Sequence, residues 1–187
     1  GSLGVLCIAS EFTTGSARST FAAVPTRQPV FWAKAAIVAV AAFAVAFASM
    51  LLAYAVITPI GEAYGLGLSF GAETHQRMLW IGSLYVAAVV LIGFALGALL
   101  RNSAGAIVSL VALVFVLPMA LSLIPADSVR DASRFTPSEV SNLLILGPDY
   151  APNALELWQG WATLGAWVAV PLALAALAAL GADPRRL

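Results

Sequence analysis

Four stretches of this chain run for more than twenty residues without a charged side chain: Ala35–Gly61, Met78–Leu100, Asn102–Ala126 and Leu157–Ala182. Crossing the roughly 30 Å of a bilayer's hydrocarbon takes about 20 helical residues, so each stretch is long enough to span. Each also stops at charge: Lys34 and Glu62, Arg77 and Arg101, Arg101 and Asp127, Glu156 and Asp183. One helix this apolar can hide inside a soluble protein. Four of them in 187 residues would leave too little chain to cover them. Charged residues make up 10% of the chain and hydrophobic ones 61%, against about 25% and 45–50% in an ordinary soluble domain. That balance excludes a soluble enzyme, a disordered segment and a nucleic-acid-binding domain. Barrel strands are excluded because the stretches do not alternate and are too long. The expected fold class is an all-α membrane protein, a polytopic transmembrane helix bundle. Its spans are expected at about residues 35–60, 78–100, 103–124 and 158–181, in a single transmembrane domain covering 1–187.

Lys and Arg in short loops set orientation. Four spans sort the loops into two sets. Residues 10–34, the Arg101–Ser103 turn and the tail from Asp183 hold Arg18, Arg27, Lys34, Arg101, Arg185 and Arg186. Residues 62–77 and 127–156 hold Arg77, Arg130 and Arg134. Six against three places the first set in the cytoplasm. With the acids counted, Glu11 and Asp183 inside and seven outside, the inner set is net +4 and the outer net −4. The expected location is the cytoplasmic membrane, with several passes. Residues 3–9, LGVLCIA, are too few and lack the basic flank of a signal peptide. They read as the end of a preceding span that enters the cytoplasm. The expectation is an N-terminal truncation of about 50–70 residues, from about 20 per span plus connections.

No Asp, Glu, Lys, Arg or His lies inside the four stretches. Intramembrane ionisable groups mark proton relays and ion-coupled transport, so a proton-driven pump is not expected. Gly93 and Gly97 form a GxxxG pair that would let another helix approach closely. The alternative is that glycine is simply common in membrane helices. Pro118 and Pro171 sit within the third and fourth stretches and are expected to kink them.

The inner segment reads SEFTTGSARSTFAAVPTRQPVFWAKA from Ser10 to Ala35. Ala17, Phe21 and Val24 recur at helical spacing, after Gly15 and before Pro25, so a short amphipathic helix is expected. Two readings follow from the residues. The helix lies among headgroups with its arginines on anionic lipid, or it docks a cytoplasmic protein. Glu11, Gly15, Arg18, then Pro25-x-Arg27 and Lys34 at the next span, resemble the coupling-helix region of permease subunits of bacterial type-two ABC exporters. Ser16 stands where that family usually has Thr, and Phe21 where it usually has Leu. The resemblance continues through the short basic turn at Arg101-Asn102 and the long outer segment 125–157. It runs on into LWQGWATLGAW at the last span and an Asp-x-Arg-Arg tail, covering nearly the whole chain. The resemblance implies that Glu11, Gly15, Arg18, Phe21, Pro25, Arg27 and Lys34 seat in a cleft of an ATP-binding cassette ATPase subunit. ATP and Mg would then be held by that partner and no cofactor by this chain. A second permease subunit, identical or not, would complete the pathway.

In the outer segment, Thr136-Pro137-Ser138-Glu139 reads as a helix start, with Thr136 as cap, Pro137 in the first turn and Glu139 at the capping-box position. The apolar VSNLLIL that follows is too short to span and ends at Gly147-Pro148. It is expected to be a re-entrant or interfacial outer helix, with an ordinary loop helix packed on the bundle as the alternative. The family it resembles has re-entrant helices just before the last span. Trp158, Trp161, Trp167, Trp80 and Tyr85 read as interfacial anchors. His75 reads as a solvated side chain of an outer loop. The lone Cys7 excludes an internal disulfide. No G-x-x-x-x-G-K-[ST] stretch is present to cradle ATP phosphates, and no catalytic cluster of His, Ser, Asp or paired carboxylates stands out. The functional expectation is the permease of an ATP-driven exporter moving a hydrophobic or amphipathic substrate. The alternatives are a non-transporting accessory or scaffold protein and a membrane-embedded enzyme.

Overall fold

A computed structural model describes residues 27–64, 73–124, 127–150 and 154–181. All regular structure in them is helical: α1 (Arg27–Ala63), α2 (Glu73–Leu100), α3 (Ser103–Val111), a π-helical turn (Ala112–Val116), α4 (Leu117–Ser122), α5 (Asp127–Ser133), α6 (Pro137–Leu146), a 3₁₀ turn (Pro148–Tyr150) and α7 (Leu157–Gly181). Four helical runs are long and apolar enough to cross a membrane: Pro29–Gly61, Thr74–Leu100, Ser103–Ser122 and Leu157–Ala178. The chain is a multi-pass membrane protein.

The bundle is built around α2. Half of its apolar window is buried, against 6% for that of α1. Every other long helix touches it. Inside a bilayer there is little hydrophobic drive between helices, so association rests on close packing. Phe94 and Ala95 of α2 form one buried cluster with Ala35 of α1 and with Leu172 and Ala175 of α7. Ile92 forms a second with Ala106 and Leu110 of α3. Along the α1–α2 seam the aromatic rings interlock. Phe31 meets Phe94 at 5.3 Å and Phe47 meets Trp80 at 4.8 Å between ring centroids. Gly82 lets Met50 in: a Cβ there would lie 2.9 Å from the Met50 Cε.

α1 begins eight residues ahead of the uncharged stretch, so Arg27 and Lys34 belong to its first turns rather than to a loop. Pro29 is compatible with this, because a first-turn proline lacks only an N–H that has no partner anyway. At the other end of α2 the reversal is tight. Arg101 takes a left-handed φ of 48° and its N–H donates to the Gly97 carbonyl at 3.1 Å. The Asn102 side-chain oxygen then accepts from the N–H groups of Ala104 (3.0 Å) and Gly105 (3.2 Å), capping α3.

The two interior prolines act differently. Pro118 lacks the N–H that would bond the Val114 carbonyl, and its ring crowds that carbonyl. The helix answers by widening just before it: the Leu117 N–H donates to the Ala112 carbonyl five residues back, a π turn. Pro171 sits within α7, which continues as α-helix on both sides of it.

Candidate functional site

Between α4 and α7 the chain forms two short helices, α5 and α6. α5 packs against α4, and α6 packs against both α2 and α7. The α6 face is apolar: Val140, Leu143 and Leu144 are buried, and Val140 and Leu144 share a cluster with Ala88 of α2 and Leu164 of α7. Gly160 of α7 lies at a close approach of the two helices. A Cβ built there would lie 2.7 Å from the Leu143 Cδ2 and 3.3 Å from the Leu144 Cδ2.

The turn between α5 and α6 is held from the opposite end of that contact. The Trp167 Nε1–H donates to the Phe135 carbonyl at 2.7 Å. Leu143 beside Gly160 and Phe135 beside Trp167 make α6 antiparallel to α7. The turn therefore lies about 15 Å of helical rise from the start of α7 at Leu157. Trp167 also packs against the Ile92, Ala106 and Leu110 cluster. Ile92 is about 12 Å of rise from the C-terminal end of α2 at Leu100. α6 is a helix packed against α2 and α7.

The local chemistry of the helix start differs from the capping box expected for it. Thr136 occupies the N-cap and is buried, but its hydroxyl donates to the Ser133 carbonyl at 2.8 Å and makes no cap bond to α6. Glu139 is engaged elsewhere: it accepts from the Tyr150 hydroxyl at 2.7 Å, tying the 3₁₀ turn back onto α6. Burial first, then this hydrogen bond and the carboxylate charge, push the Tyr150 hydroxyl up from 10.0 to about 12. α6 stops at Gly147, whose φ of +92° suits a residue without a Cβ and whose N–H returns to the Leu143 carbonyl at 2.8 Å. Half of a capping box does form, one helix later. The Gln159 side-chain oxygen accepts the Glu156 N–H at 3.0 Å at the start of α7.

The aromatic residues divide. Trp158 is exposed and its Nε1–H donates to Glu156 at 2.6 Å, in keeping with an interfacial position. The Trp167 Nε1–H clasps the Phe135 carbonyl in the turn before α6. Tyr85 packs against the α6 cluster, and Trp80 packs on Phe43 and Phe47. His75 also departs from its expected place. It lies in the first turn of α2, half-buried, with its ring edge-on to Tyr54 at 5.7 Å. Among the described residues no group of His, Cys, Asp or Glu could hold a metal ion.

Two apolar grooves flank α2. One, of about 450 Å³, lies between α1, α2 and α7 and is lined by Phe43, Ala88, Trp161 and Gly165 among others. The other, of about 350 Å³, is lined by Tyr85, Leu110, Val114 and Phe115, the last two from the π turn. No charged side chain lines either.

Of the residues singled out in the inner segment, Glu11, Gly15, Arg18, Phe21 and Pro25 lie outside the described residues. Arg27 opens α1, and Lys34 is half-buried two turns on. Gly93 and Gly97 are buried on α2. No family model, curated protein or solved structure matches the chain.

Proposed function

We propose that this chain is the membrane-spanning permease subunit of an ATP-driven exporter of the type-two ABC class, moving a hydrophobic or amphipathic substrate across the cytoplasmic membrane. The observation that carries this reading is the ordered arrangement of two features around the spans. An inner segment with Glu11, Gly15, Arg18 and Pro25 leads into α1, which opens on Arg27, and a short helix, α6, packed against α2 and α7 precedes the last span. In this reading the inner segment seats on an ATPase subunit that holds ATP and Mg. Closure of two such subunits shifts the population between inward- and outward-open bundles. A second permease subunit frames the other half of the pathway. α1, almost wholly uncovered here, and the two apolar grooves offer surface to lipid, substrate and that second subunit.

The test is substrate-stimulated ATP hydrolysis by the reconstituted complex, comparing Arg18→Glu with Arg186→Glu. Losing one partner of a desolvated charge pair costs about 2–5 kcal/mol, whereas one basic residue on anionic lipid is worth about 1 kcal/mol. A selective loss at Arg18, with the permease still inserted, supports docking. Small and equal effects at both positions favour the second reading, an accessory protein whose inner segment only rests on lipid.

A further inference from the structure

α1 and α7 diverge across the face of α2. At one end they meet: Ala35 of α1 is buried with Leu172 and Ala175 of α7 and with Phe94 and Ala95 of α2. Toward the other end the rings of α1 turn to Trp80 of α2 instead, Phe43 at 6.2 Å and Phe47 at 4.8 Å between centroids. The wedge left open is the groove of about 450 Å³. Ala88 and Leu91 of α2 form its floor, and Ala39 and Phe43 of α1 stand across it from Gly165 and Val168 of α7. Gly165 keeps it open, because a Cβ built there meets nothing within 4 Å. The depth of the wedge follows from helix lengths. α7 has 25 residues, about 37 Å of rise, so a ~30 Å hydrocarbon core centred on it begins about 4 Å inside Leu157. Trp161, at the mouth, stands about 6 Å of rise from Leu157, and Val168 about 17 Å. The groove thus runs from the edge of the hydrocarbon to near its mid-plane, the depth of one leaflet, and closes just beyond, at Leu172.

Shape and chemistry select the occupant. A helix with its side chains is about 10–12 Å across and cannot follow a wedge that narrows to the Ala35–Leu172 contact. An alkyl chain, about 4 Å across by carbon contact distance, can. No charged side chain lines the groove, so a polar group inside it would be desolvated without compensation. The mouth is different. The indole N–H groups of Trp158 and Trp167 donate to Glu156 and to the Phe135 carbonyl, but that of Trp161 has no hydrogen-bond partner among the described residues. A tryptophan at this level keeps its ring on apolar groups and offers its N–H to the headgroup region. We propose that the wedge is a specific phospholipid site. One acyl chain of a lipid from the leaflet on the Trp158 side lies in the groove with its end toward Leu172, and its ester carbonyl accepts from the Trp161 Nε1–H. The chain fills the space between α1 and α7, so this lipid belongs to the folded unit rather than to the freely exchanging lipid around it. The site is built from α1, α2 and α7 alone and is independent of any ATPase partner.

Native mass spectrometry of the delipidated full-length protein, titrated with dioleoyl phosphatidylcholine in a mild detergent, reads the site. The unaltered protein is expected to take up one lipid per chain well ahead of any further lipid. Gly165→Leu fills the wedge from α7 and Ala39→Leu narrows it from α1. Each is expected to weaken the first lipid at least about 10-fold, the size of an overpacking effect. Trp161→Phe keeps an aromatic ring and removes the donor, and is expected to weaken it about 3–10-fold. Phe115→Leu, on an exposed side chain outside this groove, is expected to change nothing. The unfolding midpoint is measured for each variant, and Ala39→Leu decides the matter if Gly165→Leu does not fold. The proposal is overturned if the unaltered protein takes up no first lipid ahead of the rest, or if the wedge-filling variants hold it as tightly as the unaltered protein. Loss of self-association in those variants, with lipid binding unchanged, would assign the wedge to a second copy of the chain and overturn it as well.

Discussion

Glycines 160 and 165 lie five residues apart on α7 and meet opposite surroundings. A Cβ at Gly160 would press into Leu143 and Leu144, while at Gly165 nothing lies within 4 Å. Overpacking a helix contact costs about 1–3 kcal/mol, whereas replacing a helical glycine by alanine in open space gains about 0.5–1 kcal/mol. Gly160→Leu should therefore lower the midpoint of thermal unfolding in detergent, and Gly165→Ala should leave it unchanged or raise it. The Tyr150–Glu139 pair makes a prediction about pH. The hydroxyl is raised from 10.0 to about 12 in the folded protein, so folding favours its protonated form. The contribution is complete below pH 10 and is lost as pH rises through about 12. The tyrosinate absorbance that disappears in Tyr150→Phe should titrate near the upper value in the native protein. In Glu139→Gln it should move back toward the ordinary range, because both effects of the carboxylate charge are then removed.

A helix as short as α5 or α6 is marginal alone, so each depends on what it is packed against. α6 has an apolar face and a clean stop at Gly147, but its start lacks the side-chain cap. Its placement rests on the Gly160 contact and on the Trp167 clasp, which joins residues 32 apart in sequence. Trp167→Phe keeps most of the ring's packing and removes the donor. The Phe135 carbonyl then loses this partner, a loss of about 0.5–1.5 kcal/mol. Faster amide hydrogen exchange confined to 134–146, with α2 unchanged, is the expected result. Uniform acceleration across the bundle would mean that Trp167 acts through general packing. The same dependence explains why this pair of helices was only half legible beforehand. Hydropathy and the Gly147-Pro148 stop mark α6 in the sequence. Nothing local marks α5, whose sequence DSVRDAS holds three charges in seven residues.

For the molecule as a whole, four helices are long and apolar enough to cross, and four crossings would put both ends of the bundle on one side. Asp149→Cys and Ala182→Cys, each in a background free of other cysteines, should label from opposite sides of the membrane with an impermeant reagent. Labelling from the same side would remove one crossing from the topology. The long α1 adds a geometric consequence. Its candidate span of 33 residues, which includes Lys34, is about 50 Å of helix, well beyond the ~30 Å core. Such a helix tilts, or emerges from the bilayer at one end, and its emerging end at Arg27 and Lys34 is the end nearest the inner segment.

The existence of four membrane-crossing helices was readable because it is a sum over neighbours: enough consecutive residues without charge make a span, whatever they pack against. The reversal at Arg101-Asn102 was readable for the same reason, since charge and cap lie within a few residues of each other. Long-range contacts were not. His75 counted as a loop residue, and nothing in the sequence pairs Phe135 with Trp167, Leu143 with Gly160 or His75 with Tyr54. A composition window carries no information about such pairings, because which segments meet is set by packing between helices that the chain brings together only once it is folded.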